Sequence, residues 1–257
     1  LAFQITGLMA QDYPLNEEVK IYYDKSWKHV KIKDSASYYR LITFKEKNIP
    51  LGTVNDYYLN DIKQSSFYAT YVGLDSKGID SVFSNGPTYY YYSNGNKSWD
   101  VFFLNDIKEG EEKQYYESGN IEFMATNING LREGEKINYH ESGKISQKSN
   151  YINGIREGEE KWYYESGELE RTIFYINGIR QKVIGYSKNG IIKFKASYTN
   201  DLPNGEQLFY HESGKLRGVI NYVNGNKNGK EVFYYETGEI SLTRNNINDL
   251  SQGQEIS

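Results

Sequence analysis

The stretch Gly158-Glu159-Glu160-Lys161-Trp162-Tyr163-Tyr164-Glu165-Ser166-Gly167 decides the fold of this chain. It reads as a strand that ends in a Ser-Gly turn, and a second alternating run then continues to the pair Asn177-Gly178. Ser-Gly and Asn-Gly between alternating runs are strong signals of β-hairpins, because both central residues of a type I′ turn need a positive φ. One hairpin is therefore predicted for residues 158–181.

The turn glycine of this hairpin recurs along the chain every 23 or 24 residues, at Gly95, Gly119, Gly143, Gly167, Gly190, Gly214 and Gly238. A second series runs nine residues ahead, with Lys182 in its one empty slot, at Gly110, Gly134, Gly158, Gly205, Gly229 and Gly253. A fixed period is the signature of a repeat array. The sequence predicts an all-β fold, an elongated single-layer antiparallel meander of about seven 24-residue β-hairpin repeats with an N-terminal β cap.

Four segments follow from this period. Residues 1–10 are interpreted as a signal-peptide remnant, 11–51 as the N-terminal β cap, 52–85 as a degenerate first repeat, and 86–257 as the array, with an irregular repeat at 182–204. In the degenerate repeat Asp61 takes the turn-glycine slot, and an insertion follows around Gly73 to Ser84.

The first ten residues bear on localisation. They are apolar and end in the small residue Ala10, like the tail of a signal-peptide h-region cleaved after that residue. This predicts export to the periplasm, the cell surface or the medium, with a buried first strand in a cytoplasmic protein as the alternative. No run approaches the ~20 apolar residues of a transmembrane helix.

Composition excludes some partners. With 30 basic and 34 acidic residues the formal net charge is −4, so the chain has no basic footprint for nucleic acid. Cysteine is absent, which excludes disulfides and thiolate metal sites. The 26 tyrosines suit a half-exposed sheet, because tyrosine combines strand propensity with a polar tip.

The alternation within one repeat predicts two mixed faces. With two-residue loops at both turns, one face carries Trp162, Tyr164, Leu169, Arg171, Ile173 and Tyr175, and the other carries Lys161, Tyr163, Glu165, Glu168, Glu170, Thr172, Phe174 and Ile176. Neither face is uniformly apolar, which favours a single layer whose stripes pack sideways between neighbouring hairpins.

The phrase Asn-Gly-x-x-x-Gly-Glu-x-x-x-Tyr-Tyr-Glu-Ser-Gly-x-Leu stands from Asn153 to Leu169, and similar phrases begin at Asn129 and at Asn224, the latter with Lys230 in place of Glu. It resembles the bacterial variant of the MORN repeat, specifically the YwqK-family antitoxins, and the resemblance covers roughly residues 38 to 257. The resemblance implies an elongated hairpin array and, through the antitoxin label, a bound protein toxin. It brings no catalytic residues.

Carboxylates and histidines recur at the hairpin tips. Successive members of the column Glu117, Glu141, Glu165, Glu212 and Glu236 should lie about 10 Å apart, too far to share one ion. Local pairing with residues such as Lys144 or Lys215 is therefore expected, and no metal site is predicted. His140 and His211 take the slot that Tyr116, Tyr164 and Tyr235 fill elsewhere, which indicates packing rather than catalysis, and His29 stands alone in the cap.

One aromatic set is the candidate partner-binding surface, because a single layer cannot cover both of its faces. It comprises the column Tyr115, Tyr139, Tyr163, Tyr210 and Tyr234, and the neighbouring Trp162, Phe209 and Phe233. Ordinary cross-strand packing is the alternative, and self-association through the same residues is also consistent with the pattern.

The irregular repeat at 182–204 lacks one residue, replaces Glu-Ser-Gly by Lys188-Asn189-Gly190, and has Asp201-Leu202-Pro203-Asn204 where Asn-Gly is expected. A one-residue deletion should produce a bulge or exchange the faces. Sequence drift explains such a repeat, and a bend or a docking site is the sharper interpretation.

The function predicted from these patterns is a non-enzymatic repeat scaffold that binds a protein partner through its extended β surface, with an antitoxin or immunity-like role and no cofactor. The alternative is a cell-envelope module that binds glycan or lipid headgroups. Catalysis is the weakest reading, since the sequence offers no activated nucleophile and no clustered acid pair.

Overall fold

A computed structural model of the chain describes residues 3–4, 13–74 and 80–256, in two compact units, residues 1–131 and 132–257. The predicted signal-peptide remnant lies outside the described residues except for Phe3–Gln4, which pair in parallel with Val19 and Lys20. The described part of the chain has no helix with the length and apolar character needed to cross a membrane.

The first unit is a meander in which neighbouring strands pair antiparallel, apart from the short parallel β1. Among its described residues, one helical turn occurs, a 3-10 turn at Lys33–Ser35. The strands are β1 (Phe3–Gln4), β2 (Glu18–Tyr23), β3 (His29–Val30), β4 (Tyr38–Glu46), β5 (Ile49–Pro50), β6 (Val54–Tyr58), β7 (Lys63–Leu74), β8 (Asp80–Tyr91), β9 (Lys97–Leu104), β10 (Ile107–Tyr115) and β11 (Ile121–Ile128).

A conventional apolar core stabilises the start of this unit. It consists of Val19, Ile21, Tyr23, Ile42, Phe44, Val54, Phe67 and Val72. Fully burying one such side chain contributes about 1.5–3 kcal/mol. Of the predicted insertion around Gly73 to Ser84, the described residues lie at the ends of β7 and β8, where Gly73 pairs with Ser81 and Leu74 with Asp80. Next to them Val72 belongs to this core, and Val82 packs against it.

One buried ion pair crosses the same core. The Arg40 guanidinium donates to both carboxylate oxygens of Asp56 at 2.6 and 3.0 Å, and the Ser65 hydroxyl donates to Asp56 at 2.7 Å. Such bidentate geometry offsets the cost of removing both charges from water.

The second unit is an antiparallel meander of hairpins. Its strands are β12 (Leu131–Tyr139), β13 (Ile145–Ile152), β14 (Ile155–Arg156), β15 (Gly158–Tyr163), β16 (Leu169–Ile176), β17 (Ile179–Tyr186), β18 (Ile192–Thr199), β19 (Leu202–Pro203), β20 (Gly205–Tyr210), β21 (Leu216–Val223), β22 (Asn226–Tyr234), β23 (Ile240–Ile247) and β24 (Leu250–Ile256). The predicted all-β hairpin meander is confirmed.

The Asn-Gly turns have the predicted two-residue loops. Asn177 and Gly178 have φ of 49° and 77°, and Ile176 pairs with Ile179 across them. In the irregular repeat the turn is Asn200-Asp201, also with positive φ. It begins one residue before the predicted turn at Asp201-Leu202-Pro203-Asn204. Asn and Asp tolerate this left-handed conformation better than most residues.

The Ser-Gly tips differ from the prediction. The Tyr164 N–H bonds the Glu168 carbonyl and the Gly167 N–H bonds the Tyr164 carbonyl, so the loop has three residues, not two. Next to the loop, β16 contains one extra residue, Glu170, which shifts the register by one. As a result Trp162 pairs with Arg171, the same pair that a two-residue loop would give. The predicted faces are therefore correct from the pair Trp162–Arg171 to the pairs farther from the tip. At the tip, Leu169 pairs with Tyr163 and so lies on the face opposite to Trp162, not on the Trp162 face as predicted.

The second glycine series lies in a bulge that follows each Asn-Gly turn. In a regular repeat two extra residues separate the pair Tyr151–Arg156 from the pair Lys148–Lys161, and Gly158 there has φ of 77°. After the Asn177-Gly178 turn, which leads into the irregular repeat, one extra residue, Gln181, separates the corresponding pairs. The deletion thus shortens a bulge that regular repeats already have, whereas the sequence predicted a new bulge or an exchange of faces.

Candidate functional site

At four hairpin tips, the ring of the residue before the tip bonds one repeat to the next. In the first unit the Tyr92 hydroxyl donates to the Tyr115 carbonyl at 2.5 Å. In the second unit three rings reach the main-chain carbonyl of the following hairpin, namely His140 Nε2 to Tyr163 at 3.1 Å, Tyr164 Oη to Tyr186 at 2.9 Å and His211 Nε2 to Tyr234 at 3.0 Å. We call this series the ring ladder.

The two tip histidines use both of their nitrogens. His140 Nδ1 lies 2.9 Å from Glu165 Oε2, and His211 Nδ1 lies 3.0 Å from Glu236 Oε2. Glu165 and Glu236 therefore pair locally, but with histidines rather than with the lysines named as examples, because Lys144 and Lys215 donate instead to main-chain carbonyls. The tip histidines thus hold neighbouring repeats together, and within the described residues no three His, Asp or Glu side chains converge as metal ligands.

Ser187 interrupts the ring ladder. It occupies the ring position of the irregular repeat, and its hydroxyl turns back to its own loop, 3.0 Å from the Ile191 carbonyl and in contact with Asn189. By the periodicity of the ladder, a ring at this position would bond the Tyr210 carbonyl. The missing ring leaves that carbonyl without the donor that its counterparts receive.

A cavity of about 620 Å³ opens at this interruption. Its size falls within the range of ordinary ligand pockets. It is lined by Tyr164, Ser187, Lys188, Asn189, Ile191, Lys193, Tyr210, His211, Glu212 and Arg217. A smaller cavity of about 280 Å³ in the first unit is lined by Arg40 and Asp56, which neutralise each other.

The aromatic candidates do not form one stripe. Strand alternation places the tyrosines on one face, and Tyr115, Tyr139, Tyr163, Tyr210 and Tyr234 are each half-buried at a hairpin tip. Register adds Tyr186 to this column, because it pairs with Ile192 as Tyr163 pairs with Leu169. The deletion in the irregular repeat hid this residue from the sequence period.

The other three candidates lie on the opposite face and are already engaged. The Arg171 guanidinium lies 4.5 Å from the Trp162 ring centroid, and Phe209 stacks on Phe233 with centroids 6.2 Å apart. Phe233 lies across Gly218, where an added Cβ would come within 2.4 Å of the ring. These rings therefore pack within the sheet, and their outer edges remain half-exposed.

A row of buried polar residues on the face that carries Trp162, Phe209 and Phe233 was not predicted from the sequence. Glu112 in the first unit accepts hydrogen bonds from Lys108 at 2.7 Å, Trp99 at 3.0 Å and Asn127 at 3.0 Å. Burial alone would raise the pKa of Glu112, but these donors and the Lys108 charge hold it below its usual value. The signal was a long polar side chain two residues after each bulge glycine.

Glu231 is the corresponding carboxylate in the second unit and is 2% exposed. Arg244 donates to both of its oxygens at 2.8 and 2.9 Å, and the Asn246 amide donates at 2.9 Å. Burial raises the pKa of Glu231, whereas the bonds from Arg244 and Asn246 and the charge of Lys227 outweigh it and lower the pKa. The partners follow 13 and 15 residues later, so only the pairing of strands reveals them.

Glu160 fills the same slot with fewer partners. Its Oε1 accepts from the Trp162 indole at 2.8 Å. Its Oε2 lies 3.3 Å from Arg156 Nε but makes no well-directed hydrogen bond. The Arg156 side chain instead donates to the hydroxyls of Tyr151 and Tyr175, at 3.2 and 3.3 Å.

A set of exposed aliphatic side chains flanks the turns opposite the tips. Ile155 is 50% exposed, Ile176 is 56% exposed and Leu250 is 68% exposed. Each precedes or follows a two-residue turn, and the Ile155 methyl lies against Gly178 of the next turn. In the second unit these side chains, called here the aliphatic strip, are Ile152, Ile155, Ile176, Ile179, Leu202, Val223, Ile247 and Leu250.

These features define a β-hairpin repeat scaffold, in which successive hairpins are linked at their tips and at their turns. A family model described as the MORN repeat variant matches residues 108–126, 132–153, 156–177 and 203–224. The repeat-level resemblance is confirmed for these four segments. No curated protein matches the chain.

Proposed function

We propose that this chain is a non-enzymatic repeat scaffold that binds a protein partner through an exposed surface of its sheet. The aliphatic strip of the second unit carries the proposal. It places eight half-exposed aliphatic side chains at successive turns. Contiguous exposed apolar surface is the usual mark of a protein interface, since water solvates it poorly.

The charge around the strip favours a protein over an anionic membrane. The Glu133 and Glu157 carboxylates accept the main-chain N–H groups of Asn153 and Asn177 at 2.7 Å, so acidic groups border the turns. The chain as a whole carries a net charge of −4. Because Arg156 and Arg180 also border the strip, it is the net negative charge that disfavours binding to anionic lipid headgroups.

The more specific form of this proposal is an antitoxin-like role in an exported protein. It rests on the resemblance of the repeat phrase to YwqK-family antitoxins and on the apolar N-terminal run. The partner would then be a protein toxin, inhibited by stoichiometric binding. Expressed alone the partner should arrest growth, and co-expression with this chain should restore it.

Affinity capture from the native host tests the proposal. The wild-type chain should return one stoichiometric protein, and the double variant Ile155→Glu, Ile179→Glu should lose it, because two charges would be desolvated in the contact. Ser142→Glu, at an exposed hairpin tip, adds a charge away from both the strip and the cavity at Ser187 and should retain the partner. Full capture by the double variant, or binding to glycans or anionic vesicles without a protein partner, would overturn the proposal.

A further inference from the structure

We propose that the interruption of the ring ladder at Ser187 binds a tyrosine side chain that is flanked by acidic residues on the partner polypeptide. This inference rests on the proposed function and adds to the contact at the aliphatic strip a second contact, at the hairpin tips, that recognises the partner by its chemistry. The cavity at Ser187, with its volume of about 620 Å³, can hold a phenol ring and part of the adjoining backbone.

The ladder itself shows what the site accepts. At the preceding position the Tyr164 hydroxyl donates to the Tyr186 carbonyl at 2.9 Å, and at the following position the His211 ring reaches the Tyr234 carbonyl at 3.0 Å. Ser187 is too short to make the equivalent bond to Tyr210, and its hydroxyl is held by its own loop. A ring supplied from outside would complete the series.

The cations of the cavity select a phenol over an imidazolium. Elsewhere a tip histidine needs a carboxylate at its second nitrogen, as Glu236 provides for His211. Glu212 stands in the equivalent position here, but Lys188, Lys193 and Arg217 also line the cavity and outnumber it. A neutral phenol needs only the carbonyl as acceptor, as Tyr164 demonstrates.

The same three cations explain why acidic neighbours are expected. Lys193 and Arg217 are exposed and form no salt bridge with any described carboxylate, so their charges face the solvent beside the cavity. Carboxylates on either side of a bound tyrosine would meet them at short range. Such contacts are screened by salt, so the affinity should fall as ionic strength rises.

Fluorescence anisotropy with the full chain and a labelled Asp-Glu-Tyr-Glu-Asp peptide tests the proposal. Replacing the central tyrosine by phenylalanine removes the hydroxyl donor and should weaken binding about five- to tenfold. Replacing it by histidine should weaken binding at least as much. A peptide with lysines in place of the acidic residues should not bind.

Substitutions in the protein provide the matched test. Ser187→Tyr supplies the missing ring from within the chain, so it should abolish peptide binding and leave the fold intact or more stable. His140→Tyr places the same residue at an occupied position of the ladder and should bind the peptide like the wild type. Should Ser187→Tyr fail to fold, Lys193→Gln with Arg217→Gln should weaken binding about tenfold without filling the cavity.

Equal affinity for the tyrosine and phenylalanine peptides, or undiminished binding by a folded Ser187→Tyr variant, would overturn the inference. Capture of the same host protein by wild type and Ser187→Tyr would also overturn it, while the scaffold proposal would stand. Peptide binding without any host partner would overturn the scaffold proposal instead. A wild-type dimer that Ser187→Tyr dissociates would identify a second copy of this chain as the occupant and refute a separate partner.

Discussion

Replacing Glu231 by alanine tests how much the charge inside the second unit contributes to its stability. The side chain is 2% exposed and accepts two hydrogen bonds from Arg244 and one from the buried Asn246 amide, with two longer ones from the Lys227 ammonium at 3.4 Å. Removing one partner of a buried ion pair costs about 3–5 kcal/mol. Because the Arg244 side chain is 26% exposed and can regain water, we expect about 2–3 kcal/mol.

Glu231→Gln is the matched variant, because it retains the volume and one acceptor oxygen. Gln207 occupies the equivalent slot of the neighbouring hairpin, and both residues pair with Ile220. The glutamine variant should therefore lose only about 1–2 kcal/mol, the cost of converting charge-assisted bonds to neutral ones.

Urea unfolding followed by circular dichroism measures the global loss, and amide hydrogen exchange in β21 to β23 measures the local one. A double-mutant cycle with Arg244→Met should give a coupling energy of about 1.5–3 kcal/mol. A loss below about 0.5 kcal/mol in Glu231→Ala, with unchanged exchange in these strands, would refute the reasoning.

Three further predictions concern the buried carboxylates, one close-packed glycine and one tip histidine. The pKa of both Glu112 and Glu231 is lowered in the folded chain, so each contributes its full stability above the unfolded value of about 4.3 and loses it as pH falls through the lower folded value; acid unfolding curves of the glutamine variants should accordingly be flatter below about pH 4. Gly218→Ala should cost about 1–3 kcal/mol because its Cβ would meet the Phe233 ring, and adding Phe233→Leu should recover part of this in thermal unfolding. His140→Tyr should leave thermal stability within about 0.5 kcal/mol of wild type, whereas His140→Ala should lose about 1–2 kcal/mol, and equal losses would show that the ring bond contributes nothing.

The hairpins could be predicted because turn chemistry and period are local properties of the sequence. Asn177-Gly178 requires a tight turn wherever it stands between alternating runs. The predicted faces of the strands were correct although the predicted loop at Gly167 was one residue too short. The extra loop residue and the extra residue Glu170 compensate each other in the register. Bulges of this kind leave no clear mark in composition.

The binding features could not be predicted in the same way, since they depend on pairs of residues from different repeats. The buried role of Glu231 becomes visible only when β23 brings Arg244 and Asn246 beside it. Likewise Ser187 is an ordinary loop residue in the sequence, and it marks a cavity only because the positions before and after it carry rings. The aromatic candidates were recognised by type, but their division between two faces limits any one contact to part of the set.

Ser187 also has a consequence for how the second unit unfolds. In a repeat array each hairpin is stabilised by its own contacts and by those with its neighbours, so cooperativity depends on every junction. The junction after Ser187 lacks the ring bond that its counterparts have. The hairpins on either side of it should therefore stabilise each other less than hairpins at the other junctions do. Partial unfolding should therefore stop at this junction, with the hairpins on either side melting as separate blocks until an occupant of the cavity joins them.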